Sequence, residues 1–204
     1  MSLMIPDPEN YFRGFIPPRD ALLLELEEEA AREALPIVGP VVGELLYILA
    51  RISGAKNILE LGTASGYSAI YLARALAPGG KVITLELSED MARRAKANFA
   101  RAGLTDRVEV RRGQALDLMA AMAENFDLIF LDIDKESYLP ALAHCRRLLK
   151  KGGLLVADNV AFAGAADFNR EIFSQKGWRV VQLLSFLPRH SPEKDALCLA
   201  LRVE

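Results

Sequence analysis

The segment AKNILELGTASGYSAIYLARAL, residues 55–76, contains an apolar run, a glycine-containing turn and an amphipathic stretch in that order. Residues 57–61 predict a buried strand, and residues 67–76 predict a helix that begins directly after the turn. A strand that passes through a tight turn into a helix is the first half of a βαβ unit. The segment therefore predicts an α/β fold whose first loop lies at the carboxyl end of a strand.

The same alternation of strand and helix patterns continues along the chain and predicts a parallel sheet with helices on both faces. Residues 179–186 and 196–203 instead predict two strands joined by a loop without a helix, which is typical of an antiparallel pair. The other predicted strands are residues 81–85, 107–110, 127–131 and 154–157, and the other predicted helices are residues 19–33, 41–52, 89–102, 115–122 and 138–150.

We expect one domain, residues 19–204, preceded by a proline-rich and irregular arm, residues 1–18. A chain of this length can bury roughly 70% of the surface that it exposes when unfolded, so it needs no disulfide framework. Cys145 and Cys198 fall in helical or apolar stretches. Two such cysteines indicate a reducing compartment.

The composition argues against several classes of protein. A net charge of −2 lacks the basic excess of proteins that bind long nucleic acids. No stretch approaches the ~20 apolar residues of a membrane span, and the N-terminus lacks the pattern of a secretory signal. We therefore expect a cytoplasmic protein that acts on a small molecule and does not bind a membrane.

Small and polar residues follow the first three predicted strands, at the edge where α/β sheets bind ligands. The turn from Gly62 to Gly66 has the spacing G-x-x-x-G, which differs from that of dinucleotide-binding proteins, and it lacks the lysine of a phosphate loop. Glu86 ends the second strand and could accept hydrogen bonds from a ribose diol. Gly113 and Ala115 would leave room for a flat adenine ring. A tight turn, a solvated glutamate and an ordinary strand-to-helix connection would explain the same residues.

The fourth and fifth predicted strands end in a polar cluster. Asp132, Asp134 and Lys135 follow the fourth strand, and Asp158 and Asn159 follow the fifth. Oxygen ligands without a cysteine or histidine select hard ions such as Mg²⁺, Mn²⁺ or Ca²⁺. The cluster therefore predicts a metal site, and its alternative is a surface pair of Lys135 with Asp134.

Both histidines are expected to lie away from this cluster. His144 falls in a predicted helix, and His190 falls in the loop of residues 187–195, where it could line the mouth of a substrate site. The predicted metal site therefore contains no histidine.

Three stretches in this order, residues 55–76, DLIFLDIDKESY at 127–138 and LKKGGLLVADNV at 149–160, resemble the metal-dependent O-methyltransferases related to catechol and caffeoyl-CoA O-methyltransferase. The resemblance extends from Arg19 onward. It implies a Rossmann-like methyltransferase fold with a seven-stranded, mostly parallel sheet whose last strand is antiparallel. It also implies S-adenosylmethionine, a divalent cation with Mg²⁺ expected before Mn²⁺ or Ca²⁺, a small aromatic hydroxyl acceptor, and a homodimer.

The resemblance further implies a role for individual residues. Lys135 would be the catalytic base that accepts the proton of the acceptor hydroxyl. Asp132, Asp158 and Asn159 would hold the metal, which polarises that hydroxyl. The residues implied to bind S-adenosylmethionine are Val38, Gly62, Thr63, Ser68, Glu86, Gly113, Ala115 and Asp132.

The chain departs from the family pattern in three places. Residues 161–164 form a shorter segment than the family usually carries, and the late loop reads LPRHSPEKDA, residues 187–196, in place of a Pro-Ile-Gly-Asp-Gly type of segment. Glu44 stands where a glutamine is common. These departures leave the cofactor and metal residues in place but leave the identity of the acceptor open.

Three other functions are compatible with parts of the pattern. Some bacterial relatives methylate a hydroxylated wobble uridine of tRNA, and one anticodon stem needs few contacts, although the acidic balance of the chain points away from it. A nicotinamide-dependent oxidoreductase is disfavoured by the missing G-x-G-x-x-G. A non-catalytic cofactor-binding module is disfavoured because the metal residues and Lys135 are all present.

Overall fold

Seven strands form one sheet in the computed structural model, which describes residues 4–204 of the chain. In chain order they are β1 (Asn57–Leu61), β2 (Lys81–Glu86), β3 (Val108–Arg112), β4 (Phe126–Leu131), β5 (Leu149–Ala157), β6 (Trp178–Phe186) and β7 (Lys194–Arg202). The order across the sheet is β3-β2-β1-β4-β5-β7-β6. The first five strands pair in parallel, and β7 runs antiparallel to both of its neighbours. The predicted sheet is thereby confirmed.

Helices cover both faces of this sheet. In chain order they are α1 (Pro8–Phe12), α2 (Ala21–Glu33), α3 (Gly39–Ile52), α4 (Tyr67–Ala75), α5 (Glu89–Arg101), α6 (Ala115–Ala121), α7 (Tyr138–Leu148) and α8 (Ala166–Ser174). One apolar core joins α2 through α5 to one face of the sheet, and a second core joins α6 through α8 to the other. Within residues 4–204, no helix is both long and apolar enough to cross a membrane.

The inner strands are apolar on both sides because both faces of the sheet are covered. Ile58, Leu59 and Leu61 of β1 have no exposed surface, and neither do Ile129 and Leu131 of β4. Parallel strands that are buried in this way read as continuous apolar runs rather than as alternating ones. Polar residues consequently collect where the strands end, which places the candidate site at the carboxyl edge.

Two elements differ from the sequence prediction. β5 begins at Leu149 rather than at residue 154, because Leu149 already pairs with Phe126 before the register shifts. Gly152, at φ +80°, follows this irregular pairing and has the sequence signature of a turn. The sequence predicts no element for residues 166–174, which form α8.

The N-terminal arm is not irregular throughout, and in this respect the prediction is wrong. Pro8–Phe12 forms α1, and Arg13–Phe15 forms a short 3₁₀ helix. The Asp7 side chain accepts a hydrogen bond from the first turn of α1, and a proline at the first helical position has the backbone angle that a helix needs. Residues 1–3 of the arm lie outside the part of the chain that the structure describes.

The arm contacts the loop between β6 and β7. Arg13 forms a bidentate ion pair with Glu193, with N–O distances of 2.8 and 2.5 Å. Glu9 pairs with Lys194 at 2.8 Å, and the Arg13 guanidinium lies 4.9 Å from the centre of the Phe186 ring. Exposed ion pairs of this kind add little to stability, so they fix the direction of the arm more than they stabilise the fold.

Candidate active site

The predicted site residues all line one cavity of about 840 Å³ at the carboxyl edge of the sheet. The structure therefore brings together residues that come from six separate segments of the sequence. Their individual roles stay predictions. The predicted site residues in the wall are Val38, Gly62, Thr63, Ser68, Glu86, Gly113, Ala115, Asp132, Lys135, Asp158 and Asn159.

The turn after β1 requires glycine at its first position. Gly62 has φ +94°, and a Cβ atom added there would lie 2.0 Å from the carbonyl oxygen of Asp132. Gly62 thus lets the first turn pass directly beside the end of β4. The residues predicted to bind the cofactor and those predicted to bind the metal meet at this contact.

Glu86 holds the same turn through its carboxylate. Its Oε2 accepts hydrogen bonds from the backbone N–H groups of Thr63 (3.2 Å) and Ala64 (2.9 Å), and its Oε1 accepts one from Ser88 N–H (2.8 Å). Each carboxylate oxygen can accept more than one hydrogen bond. Glu86 can therefore position the turn and still receive a ligand hydroxyl.

A buried chain of hydrogen bonds, which was not predicted from the sequence, lies beneath this turn. Thr84 Oγ1 donates to Glu60 Oε2 at 2.6 Å, and Thr63 Oγ1 lies 2.7 Å from Thr84 Oγ1. Glu60 has no exposed surface, and burial raises the pKa of its carboxyl to about 7, against the opposing effect of hydrogen bonds from Ser68 and Thr84. Glu60 is therefore largely protonated below neutral pH.

Lys135 lies at the other end of the cavity. Its Nζ donates to Asp132 Oδ1 at 2.8 Å and to the Tyr138 hydroxyl at 3.0 Å. Lys135 is therefore paired with Asp132, and the alternative surface pair with Asp134 is wrong. Burial raises the pKa of Asp132, the positive charge of Lys135 opposes this, and the charge of Asp158 adds to it.

Tyr138 connects the ends of β4 and β5. Its hydroxyl lies 2.9 Å from the carbonyl oxygen of Asp158 and 3.1 Å from that of Leu131, and its side chain is fully buried. A single hydroxyl proton serves these two carbonyl groups, and a hydroxyl lone pair accepts from Lys135. Tyr138 therefore fixes the distance between the two strand ends and the lysine.

His190 contacts the predicted metal cluster, contrary to the prediction that no histidine lies there. Its Nε2 lies 2.9 Å and 3.0 Å from the two carboxylate oxygens of Asp158, and its Nδ1 lies 2.7 Å from the carbonyl oxygen of Pro192. Burial alone lowers the pKa of His190, but the hydrogen bond to Asp158 and the attraction of its charge raise it above the ordinary value. His190 contacts Asp158 but does not itself line the cavity.

Asn159 is held by Asp195, the second residue of β7. Its Nδ2 donates to Asp195 Oδ2 at 2.6 Å, and Asp195 has no exposed surface. Asn159 also has φ +51°, a left-handed conformation that asparagine tolerates better than most residues. Because the amide nitrogen is used by Asp195, the amide oxygen is the atom left for a ligand.

The three predicted metal residues fit a hard cation by the chemistry of their atoms. Within residues 4–204, no group of three His, Cys, Asp or Glu side chains is arranged to hold a metal ion, so a site at this position needs the Asn159 amide oxygen as well. The charge of Asp158 disfavours a negative charge on Asp132 and thus raises the pKa of Asp132. A divalent cation would remove this repulsion, and all three residues offer the oxygen ligands that Mg²⁺ prefers.

Comparisons with known proteins agree with this arrangement. A family model described as O-methyltransferase matches residues 18–187. A catechol O-methyltransferase of Niastella koreensis is 41% identical over 158 residues, which cover 74% of this chain and 72% of that protein. This relative therefore matches over most of the length of both proteins.

Solved structures share the whole architecture. An O-methyltransferase from Bacillus cereus, crystallised in complex with SAH, has a TM-score of 0.86 and 34% identity over 96% of both chains. The O-methyltransferase TomG from Streptomyces achromogenes, crystallised with SAM, has a TM-score of 0.86 and 28% identity over 97% of this chain and 96% of its own. In its sequence motifs, its sheet and its relatives, this chain belongs to the O-methyltransferase family.

Proposed function

We propose that the protein transfers a methyl group from S-adenosylmethionine to a hydroxyl oxygen of a small, catechol-like acceptor with the help of a divalent cation. The observation that carries the proposal is the position of Lys135 Nζ, 2.8 Å from Asp132 Oδ1, in the same cavity as Asp158 and Asn159. Membership of the O-methyltransferase family supports methyl transfer over the alternatives of a nicotinamide-dependent oxidoreductase or a non-catalytic module.

The cofactor would occupy the end of the cavity between the first and third strand ends. There Gly62 and Ser68 would contact its methionine part, Glu86 would receive the ribose hydroxyls, and Gly113 and Ala115 would border the adenine. S-adenosylmethionine supplies the electrophilic methyl group when bound. The SAH and SAM bound to the Bacillus and Streptomyces structures support this assignment.

Lys135 would act as the base in the transfer. A divalent cation held by Asp132, Asp158 and Asn159 would polarise the acceptor hydroxyl and fix its position. Lys135 would accept the hydroxyl proton at Nζ, the atom that Asp132 and Tyr138 orient for this step. The Asp132 carboxylate then stabilises the lysine ammonium that forms, so the proton remains near the site until the product leaves.

The walls beside the metal end favour a small aromatic acceptor over tRNA. Phe162, which is 45% exposed, and Pro192 line the cavity close to Asn159 and offer apolar surfaces for a flat ring. Of the cavity-lining residues within 4–204, Lys135 is the one basic side chain. A phosphate backbone would instead meet repulsion from the acidic side chains of the wall, which are Glu86, Asp132, Asp134, Glu136 and Asp158.

The experiment is a methyl-transfer assay with purified protein, S-adenosylmethionine and catechol, run with Mg²⁺ and with excess EDTA. We expect turnover with Mg²⁺, loss of turnover in EDTA, and recovery when Mg²⁺ is restored, because the carboxylate ligands alone cannot position the hydroxyl. Parallel reactions with a hydroxycinnamoyl thioester and with undermodified tRNA test the acceptor class. Full activity in EDTA would contradict the metal dependence, and activity on tRNA alone would contradict the acceptor.

Several finer points stay predictions. They are the homodimer, the cytoplasmic location, the division into an arm and one domain, and the preference for Mg²⁺ over Mn²⁺ or Ca²⁺. Size-exclusion chromatography with light scattering tests the first, and an activity series over the three ions tests the last.

A further inference from the structure

His190 is buried in a loop whose adjacent residues are exposed. It retains 5% of its surface, whereas Arg189 and Ser191 on either side are exposed to solvent. The burial is directed: the ring lies against the carboxylate of Asp158, a residue that is 32 positions away in the sequence. The loop therefore does more than cover the sheet edge, because it places the His190 ring against the Asp158 carboxylate.

Both ring nitrogens of His190 face atoms that can only accept hydrogen bonds. Nδ1 faces the carbonyl oxygen of Pro192 at 2.7 Å, and Nε2 faces both oxygens of the Asp158 carboxylate at 2.9 and 3.0 Å. Nδ1 donates to the Pro192 carbonyl oxygen, and the ring forms a bridge from the loop backbone to the Asp158 carboxylate. Rotation of the ring would break both hydrogen bonds.

Asp158 is consequently held by a residue that does not line the cavity. Oδ1 also accepts a hydrogen bond from Asn159 N–H at 2.9 Å, and the carbonyl group of Asp158 is held by Tyr138. We propose that His190 is a positioning residue that orients the Asp158 carboxylate for metal binding. This rests on the proposed metal-dependent function, in which Asp158 is a ligand. Residues that hydrogen-bond to a metal ligand orient that ligand, and their removal often lowers the metal affinity strongly.

The role predicts a loss of metal affinity that is separate from cofactor affinity. Asp158 and His190 lie at the metal end, whereas the cofactor turn is held by Glu86 through Thr63 and Ala64. Removing the imidazole frees the Asp158 carboxylate to rotate and leaves the turn untouched. If His190 merely supported the fold, its removal would weaken both metal binding and cofactor binding and would also lower the melting temperature.

The test compares wild-type protein with His190→Ala and His190→Gln by titration calorimetry with Mn²⁺ and, separately, with SAH in metal-free buffer. We expect His190→Ala to weaken Mn²⁺ binding about 10- to 100-fold with SAH affinity unchanged. His190→Gln, which keeps an N–H donor, should lose less than the alanine variant. His144→Ala, the same change on helix α7, is the control and should bind Mn²⁺ as the wild type does.

Two results would overturn the role of His190: Mn²⁺ affinity of His190→Ala within about threefold of wild type, or an equal loss of Mn²⁺ and SAH affinity. Should the alanine variant fail to fold, His190→Asn, whose side chain is too short for both hydrogen bonds, is judged by the same criteria. A wild-type protein that binds no Mn²⁺ and methylates in EDTA overturns the metal-dependent function itself. A wild type that binds Mn²⁺ while both variants match it overturns the inference alone.

Discussion

Glu60 allows a quantitative test of the buried hydrogen-bond chain beneath the turn that follows β1. Burial raises the pKa of its carboxyl from 4.5 to about 7. Between these two pH values the native protein keeps a proton that the unfolded chain has released. The stability that this group contributes is therefore fully present below pH 4.5 and is lost as the pH rises through the native pKa.

The magnitude follows from the two pKa values. Each pKa unit corresponds to about 1.4 kcal/mol, so the difference between 4.5 and about 7 corresponds to about 3 kcal/mol of unfolding free energy. Glu60→Gln has nearly the same shape and is neutral at every pH. We expect the unfolding free energy of Glu60→Gln, relative to wild type, to increase by about 3 kcal/mol between pH 4.5 and about pH 8.

Urea denaturation of both proteins at the two pH values measures this change. Other titrating groups are common to the two proteins and cancel in the comparison. Glu28→Gln, at an exposed position on α2, is the control and should show no such increase. The reasoning is refuted if the difference in unfolding free energy between Glu60→Gln and wild type is the same at both pH values within about 0.5 kcal/mol. Such a result would show that Glu60 is ionised in the native state.

Three further predictions concern the cavity. Lys135→Ala should retain SAH binding but lose turnover by about 10²-fold or more, because the base is absent; unchanged initial rates would remove the lysine from the mechanism. Glu86→Gln should weaken cofactor binding about tenfold or more in calorimetry, because the turn at Thr63 loses a charged acceptor, and an unchanged dissociation constant would contradict this. Gly62→Ala should lower the unfolding free energy by about 3 kcal/mol or more, because its Cβ would lie 2.0 Å from the Asp132 carbonyl oxygen. Gly79→Ala, also at positive φ but with no neighbour within 4 Å, is its control, and similar denaturation curves for the two variants would contradict the clash.

The strand ends could be predicted from the sequence because burial imposes a simple pattern. β1 and β4 are covered on both faces, so each reads as an apolar run that stops abruptly at Gly62 or Asp132. The carboxyl ends of parallel strands meet at one edge, and this geometry alone brings the polar residues into one cavity. The order of the segments along the chain therefore contains most of the information about the site.

The support of the metal cluster could not be predicted in the same way. His190 and Asp195 contact residues 32 and 36 positions earlier. His190 lies in a loop without a periodic pattern, and Asp195 lies at the start of β7. Their contacts depend on how β7 enters the sheet, which is a tertiary property. Glu60 did offer a local signal, because it is a carboxyl between apolar residues of a buried strand. An acidic residue at such a position needs a partner or a proton.

The position of β7 has a consequence for the order in which the protein is made. Of the seven strands it is the last to leave the ribosome, yet it lies inside the sheet between β5 and β6. Until it is synthesised, the edge of β5 has no partner, and a bare strand edge invites pairing with other chains. The nascent protein therefore has both an unprotected edge and an unsupported Asn159, and a single late event, the insertion of β7 with Asp195, corrects both.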